Sequence, residues 1–330
     1  MADAPIAQGT FKDRTVGLIL FGVIEILGGL FFLLALALIA IMSFLGDSLP
    51  TGDSAPLAPS FPAGFGLGMS FLYLGWAAVL ITLGIGSMLG RRWARSLSLL
   101  IAWMVLVCGS FGTAAMVMIW PHMKEAMGRA AAGGPEIPSA ILLLPLALVV
   151  LLVVIVPGAF VLFLRSANVQ ATCEWKDPKP RWTDRRPLPI LGLVLMAASG
   201  VLVPLYLPMS GGMFVAFGVI LRGAPALLAA LAIAAASAWC AWRIWHLDLR
   251  GWWATLILWL GFGASNLLMF DPDRQRLLWE EMGMPSEQIE QMTALAFPWH
   301  AMVPMMAVSL LAVLAFFLYT KKFFTERPKP

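Results

Sequence analysis

Residues 141 to 164 read ILLLPLALVVLLVVIVPGAFVLFL, a run without a single charge, amide or hydroxyl side chain. A hydrocarbon core of about 30 Å takes roughly 20 apolar residues to cross as a helix. Inside lipid no water reaches the backbone, so a lone segment of this composition satisfies its N–H and C=O groups only by coiling into a helix. Nothing in the stretch alternates at the period of a barrel strand. It reads as a transmembrane helix.

Working outward, seven further runs have the same character: Val16 to Leu38, Phe71 to Leu89, Leu97 to Ile119, Leu188 to Leu207, Ala224 to Trp245, Trp253 to Phe270 and Pro298 to Tyr319. The first is too long for a signal-peptide core and no small-residue cleavage site follows it, so it reads as a retained span. The chain as a whole is 60% hydrophobic and 12% charged, where a soluble domain carries roughly a quarter charged residues. The expected fold class is all-α transmembrane, with about eight helices.

Lysine and arginine set the expected orientation. Of the 22 such residues, all but Lys124, Arg129, Arg222, Arg274 and Arg276 fall on one side of the eight spans, in the amino-terminal segment, alternate turns and the tail. That side reads as cytoplasmic, with both termini inside. The asymmetry accounts for the net charge of +4, so the basic balance points to a membrane and not to nucleic acid. Trp93, Trp242, Trp245, Trp252 and Trp253 fall at the basic interface and Trp120 and Trp299 at the other.

Two halves match in order. Arg91-Arg92-Trp93-Ala94-Arg95-Ser96-Leu97 aligns with Arg250-Gly251-Trp252-Trp253-Ala254-Thr255-Leu256, each on a short basic turn between the second and third helix of its half. Each third helix is followed by a polar segment, Pro121 to Arg129 or Asp271 to Met292, and each fourth helix carries a proline, Pro145 or Pro304. Tandem duplication is the reading. The expected organisation is a cytoplasmic segment at 1–15, a first four-helix repeat at 16–164, a cytoplasmic linker at 165–187, a second repeat at 188–320 and a cytoplasmic tail at 321–330. Four spans return the chain to the side it started from, so the repeats are parallel, related by an axis along the membrane normal.

The second helix of each half is rich in small residues, Gly84, Gly86 and Gly90 in one and Ala230, Ala234 and Ala238 in the other. Such residues let helix backbones approach closely, and the expectation is that these two helices pack against each other at the centre. The linker shows no helical period and reads as an ordered, extended segment lying against the headgroups, with a disordered tether as the alternative. The apolar run Gly212 to Leu221 is too short to span and reads as re-entrant or interfacial, with Arg222 reaching headgroups and cavity lining as the second reading.

Within the linker, the stretch Thr172-Cys173-Glu174, then Asp177-Pro178-Lys179-Pro180-Arg181-Trp182-Thr183-Asp184, then Pro187-Leu188-Pro189 resembles a segment of uncharacterised polytopic bacterial inner-membrane proteins. The resemblance implies a shared fold and an inner-membrane location, and no chemistry. That family often carries a cysteine where this chain has Arg186, so a pairing with Cys173 is not open to this chain.

Of the 18 carboxylates, only Glu25 falls inside a span, nine residues or roughly 14 Å from the start of the first helix. An ionisable group at that depth is a candidate for proton or ligand handling, or else a packed hydrogen-bonding group. On the opposite side from most of the cations, His122, His300, Met302, Met305 and Met306 are imidazole and thioether groups that suit copper(I); ordinary helix filler is the alternative. His246 reads as a helix cap. No nucleotide loop, zinc-protease or hydrolase-elbow motif occurs, and Cys108, Cys173 and Cys240 suggest neither a disulfide framework nor a metal cluster. The expectation is a non-catalytic membrane protein without cofactor or resident metal, whose partners are the bilayer and other membrane subunits or copies of itself. A small-solute or proton-linked transporter using Glu25 is the alternative.

Overall fold

The computed structural model describes residues 11–48, 63–130, 139–269, 271–294 and 299–325. Its long helices are α1 (Thr15–Ser48), α2 (Ala63–Met88), α3 (Arg92–Ala130), α4 (Ser139–Val150), α5 (Val156–Leu164), α7 (Leu188–Ser199), α9 (Gly223–Trp245), α10 (Leu249–Leu268) and, after the short α12 (Ser286–Ala294), α13 (Trp299–Thr325). Among the described residues, seven segments are long and apolar enough to cross a membrane, and eight if α10 is counted with α11 (Pro272–Glu281), which follows it across a 92° bend. The chain is an all-α transmembrane protein.

Local breaks have local causes. Between α4 and α5, one π turn, Leu151–Ile155, precedes Pro157; proline removes a donor and crowds the preceding turn, and the extra residue relieves both. After α7, a 3-10 turn at Gly200–Leu202 leads into the short α8 (Val203–Tyr206), with Pro204 in its first turn.

One expectation is overturned, and another gains a specific form. The linker is not extended: Ser166 caps α6 (Ala167–Lys176) by accepting from the Val169 N–H, and Trp182–Arg185 forms a 3-10 turn. The helix buries Val169, Thr172 and Cys173, a stripe at helical spacing that is half polar. The run after Gly212, expected as a re-entrant or interfacial segment, is an antiparallel hairpin, β1 (Met213–Ala216) with β2 (Val219–Arg222). Its two-residue turn, Phe217 and Gly218, has positive φ at both positions, the primed geometry that matches strand twist. Arg222 pairs with Glu281 of α11 and donates to its carbonyl; it is held by protein.

By contact the chain divides into two compact units. The first comprises the described residues of Met1–Pro56, Met69–Cys108 and Leu151–Leu191. Leu18, Leu99, Phe160, Val161 and Leu164 form its core with Val169 and Cys173 of α6. The second comprises those of Leu57–Gly68, Gly109–Val150 and Gly192–Pro330. There α10 packs on α9 and on α13, and Ala226 and Ala230 bury against Leu207.

Candidate functional site

In the first unit α1 and α2 meet through glycines. A Cβ on Gly22 would sit 2.6 Å from the Gly84 carbonyl, and one on Gly84 would sit 2.5 Å from the Gly22 carbonyl. Two turns further, Gly29 faces Ala77 and Ile81. Glu25 lies between Gly22 and Gly29 on the same stripe and is 6% exposed. The backbones are close enough for the Ser87 hydroxyl to donate to Glu25 Oε2 at 2.9 Å. The buried Ser98 hydroxyl of α3 also faces this carboxyl, outside ordinary hydrogen-bond geometry. Glu25 is thus a polar tie between α1 and α2. Sequence reasoning found the acid and missed its partner, although Ser87 stands three residues after Gly84 on the face that meets α1.

At the basic end of the same unit the linker folds back on the α2–α3 turn. Asp177, 2% exposed, accepts from Arg181 through both carboxylate oxygens, Nη2 to Oδ1 at 2.8 Å and Nε to Oδ2 at 2.9 Å. Arg91 Nη1 stands 3.8 Å from Oδ1, and Arg92 Nε donates to the Asp177 carbonyl at 2.7 Å. These hydrogen bonds, those of Arg181 first, hold the Asp177 carboxyl below the usual carboxylate range. Arg95 Nε donates to the Leu164 carbonyl at 3.0 Å, satisfying an orphan acceptor at the end of α5. The amino-terminal segment joins in, since the Arg14 N–H donates to Thr172 Oγ1 at 3.1 Å.

Beside this network opens a pocket of about 350 Å³, lined by Arg92, Arg95, Gln170, Glu174, Thr183, Asp184 and Arg186 at its polar end and by Leu99, Leu188 and Leu191 at its apolar end. Cys173 of α6 is buried in the core of this unit, and burial pushes its thiol up to about 11, which favours the neutral form at physiological pH.

The remaining expected residues fare differently. Gly86 packs on Ala94 and Trp93. Gly90 is not a helix-packing step: it ends α2 at φ 64° and its α-carbon faces Lys176. Ala230 is buried in the second unit's core, Ala234 half-buried and Ala238 exposed. The side chains of His122, His300 and Met302 lie outside the described residues, and Met305 and Met306 are half-buried on α13. His246 caps α9, its Nδ1 2.8 Å from the Trp242 carbonyl.

No family model matches the chain, and no curated protein or solved structure matches it.

Proposed function

We propose that the chain is a non-catalytic inner-membrane protein of bacteria, an accessory or scaffold subunit of a membrane complex, with both termini cytoplasmic. The observation that carries the reading is how little of its apolar surface the chain covers by itself. In α1, α3 and α13 only 11% of the apolar window is buried, and among the described residues no span exceeds 28%. Large side chains such as Phe31, Leu34, Leu144 and Leu311 are more than half exposed. Lipid covers such faces, and so does a partner's helix. The one intramembrane carboxyl supports the same reading, because Glu25 is engaged by Ser87 between closely packed backbones, whereas a transport site needs polar groups turned toward a cavity.

The lysine and arginine asymmetry supports the orientation, and the two-repeat organisation has structural support of its own. Arg95 of α3 and Trp252 of α10 each stand five residues past the positive-φ residue of their turn, and each donates a side-chain N–H to a carbonyl of the fourth membrane helix of its half, Leu164 and Phe317.

The test is extraction of tagged protein from its own membranes in a mild detergent, read by native mass spectrometry. A stoichiometric second chain is the expected result. Recovery of the chain alone, as monomer or homo-oligomer, overturns the reading and moves the question to flux in proteoliposomes, wild type against Glu25→Gln.

A further inference from the structure

The pocket at the basic end of the first unit gathers more charge than the hydrogen bonds of Arg92 to the Asp177 carbonyl and of Arg95 to the Leu164 carbonyl account for. Three guanidiniums, from Arg92, Arg95 and Arg186, share it with two carboxylates, Glu174 and Asp184. Both carboxylates already accept from protein: Glu174 from the Gln170 amide at 2.9 Å, and Asp184 from the Arg181 N–H at 2.8 Å, with Arg92 Nη1 at 3.8 Å. Three guanidiniums against two carboxylates that protein donors already engage leave the lining net positive. Thr183, which also lines the pocket, is 2% exposed, and its hydroxyl has no hydrogen-bond partner among the described residues. A buried hydroxyl in that condition is unfavourable unless something else engages it.

The other end of the pocket is Leu99, Leu188 and Leu191. Leu188 opens α7, and Leu99 lies two turns into α3, so both stand where membrane helices enter the bilayer. Trp175 and Trp182 are exposed on the same linker, as side chains of the headgroup layer are. A ligand that suits such a pocket has an anionic oxygen cluster at one end and begins to be apolar at the other. Guanidinium forks match phosphate oxygens in geometry as well as charge.

We propose that this pocket binds the phosphodiester headgroup of a phospholipid. The phosphate lies against Arg92, Arg95 and Arg186, with Thr183 as a further donor, and the glycerol and first methylenes lie along Leu99, Leu188 and Leu191. The lipid would then pin α6 and the 3-10 turn to the starts of α3 and α7. A free phosphate offers the same oxygens without the apolar end, and the experiment separates the two sources.

Full-length protein in a neutral detergent is incubated with phosphatidylglycerol or phosphatidylethanolamine, and retained adducts are counted by native mass spectrometry. Arg186→Gln and the near-isosteric Thr183→Val are run beside wild type, with thermal midpoints recorded to show that each is folded. One phospholipid per chain is expected on wild type, with retention reduced about tenfold in Arg186→Gln, the size of one charge-assisted hydrogen bond, and by a smaller factor in Thr183→Val. Diacylglycerol, which lacks the phosphate, should not be retained. Displacement of the lipid by millimolar inorganic phosphate would keep the anion site and assign it to the free ion. Equal retention in wild type and both folded variants, or equal retention of diacylglycerol, overturns the proposal.

Discussion

The turn between α2 and α3 and the turn between α9 and α10 are the same backbone device closed by different chemistry. In the first, the Gly90 N–H donates to the Ser87 carbonyl and the Arg91 N–H to that of Gly86; in the second, Leu247 donates to Ile244 and Asp248 to Arg243. Both are Schellman closures around one residue in the left-handed region, Gly90 at φ 64° and Leu247 at φ 56°. Counted from that residue, Arg95 corresponds to Trp252, two positions away from the register in which Arg91 aligns with Arg250. The first turn then spends its side chains on Asp177 and the linker and leaves a polar pocket. The second buries Trp252 completely, with its Nε1 shared between the Phe317 carbonyl at 3.2 Å and Thr320 Oγ1 at 3.3 Å. A conserved backbone shape does not dictate whether charge or packing closes it; the element available to receive the side chain does.

If packing closes the second turn, removing the ring is the largest single perturbation of the pair. Trp252→Ala should lower stability by about 3–5 kcal/mol, the range for emptying an aromatic core site. Trp252→Phe keeps most of the volume and loses the donor, and should cost about 1 kcal/mol. Thermal midpoints in detergent or nanodiscs check both. Equal losses in the two variants would mean that the hydrogen bond, not the packing, holds α10 to α13, and the contrast with the Arg95 turn would collapse.

The first turn should instead answer to charge and pH. Asp177→Asn keeps the shape and removes the ion pairs with Arg181 and Arg91; because Arg181 is 37% exposed and can return to water, the loss should be about 1–2 kcal/mol. The folded carboxyl titrates below its unfolded value, so its contribution is complete above about pH 5 and disappears as pH falls through the unfolded and then the folded value. The stability of wild type over Asp177→Asn should therefore shrink from about pH 5 downward. A difference that stays constant to pH 3 would remove the ion pair from the account.

How far the sequence was legible differs between these regions for physical reasons. Lipid imposes composition, so the membrane helices were visible as runs, with ends shifted by a few residues: Phe71 to Leu89 became Ala63–Met88. The linker helix was hidden because Thr172 and Cys173 stand in its buried stripe, where a hydropathy pattern expects leucine. The hairpin was hidden because its turn uses Phe217, in place of asparagine, before Gly218. Burial of Glu25 was readable from its position alone; the tie to Ser87 depended on which helices share a glycine contact, a tertiary fact. The pocket draws on α3, α6, the 3-10 turn and α7, four segments with no common motif, and only the fold brings them together. The turn register was misread because arginine and tryptophan identities guided the alignment while the backbone follows the residue at positive φ.

That last point gives the smallest and most direct test of the comparison. An L-residue in the left-handed region costs about 1–2 kcal/mol, and glycine avoids most of it at an entropic cost of about 0.5–1 kcal/mol. Leu247 is half-buried, so some burial is also lost on truncation, and Leu247→Gly should be stabilising by about 0.5 kcal/mol after these offsets. Gly90→Ala runs the other way: it carries the left-handed penalty and also places a Cβ 2.6 Å from Lys176, so it should cost about 1 kcal/mol or more. Opposite signs in the two thermal midpoints would establish that the turns share one backbone requirement, met by glycine in one and imposed on leucine in the other. A destabilised Leu247→Gly would show that the leucine side chain is held by packing worth more than the strain, which would extend the packing closure of the second turn from Trp252 back into the loop itself.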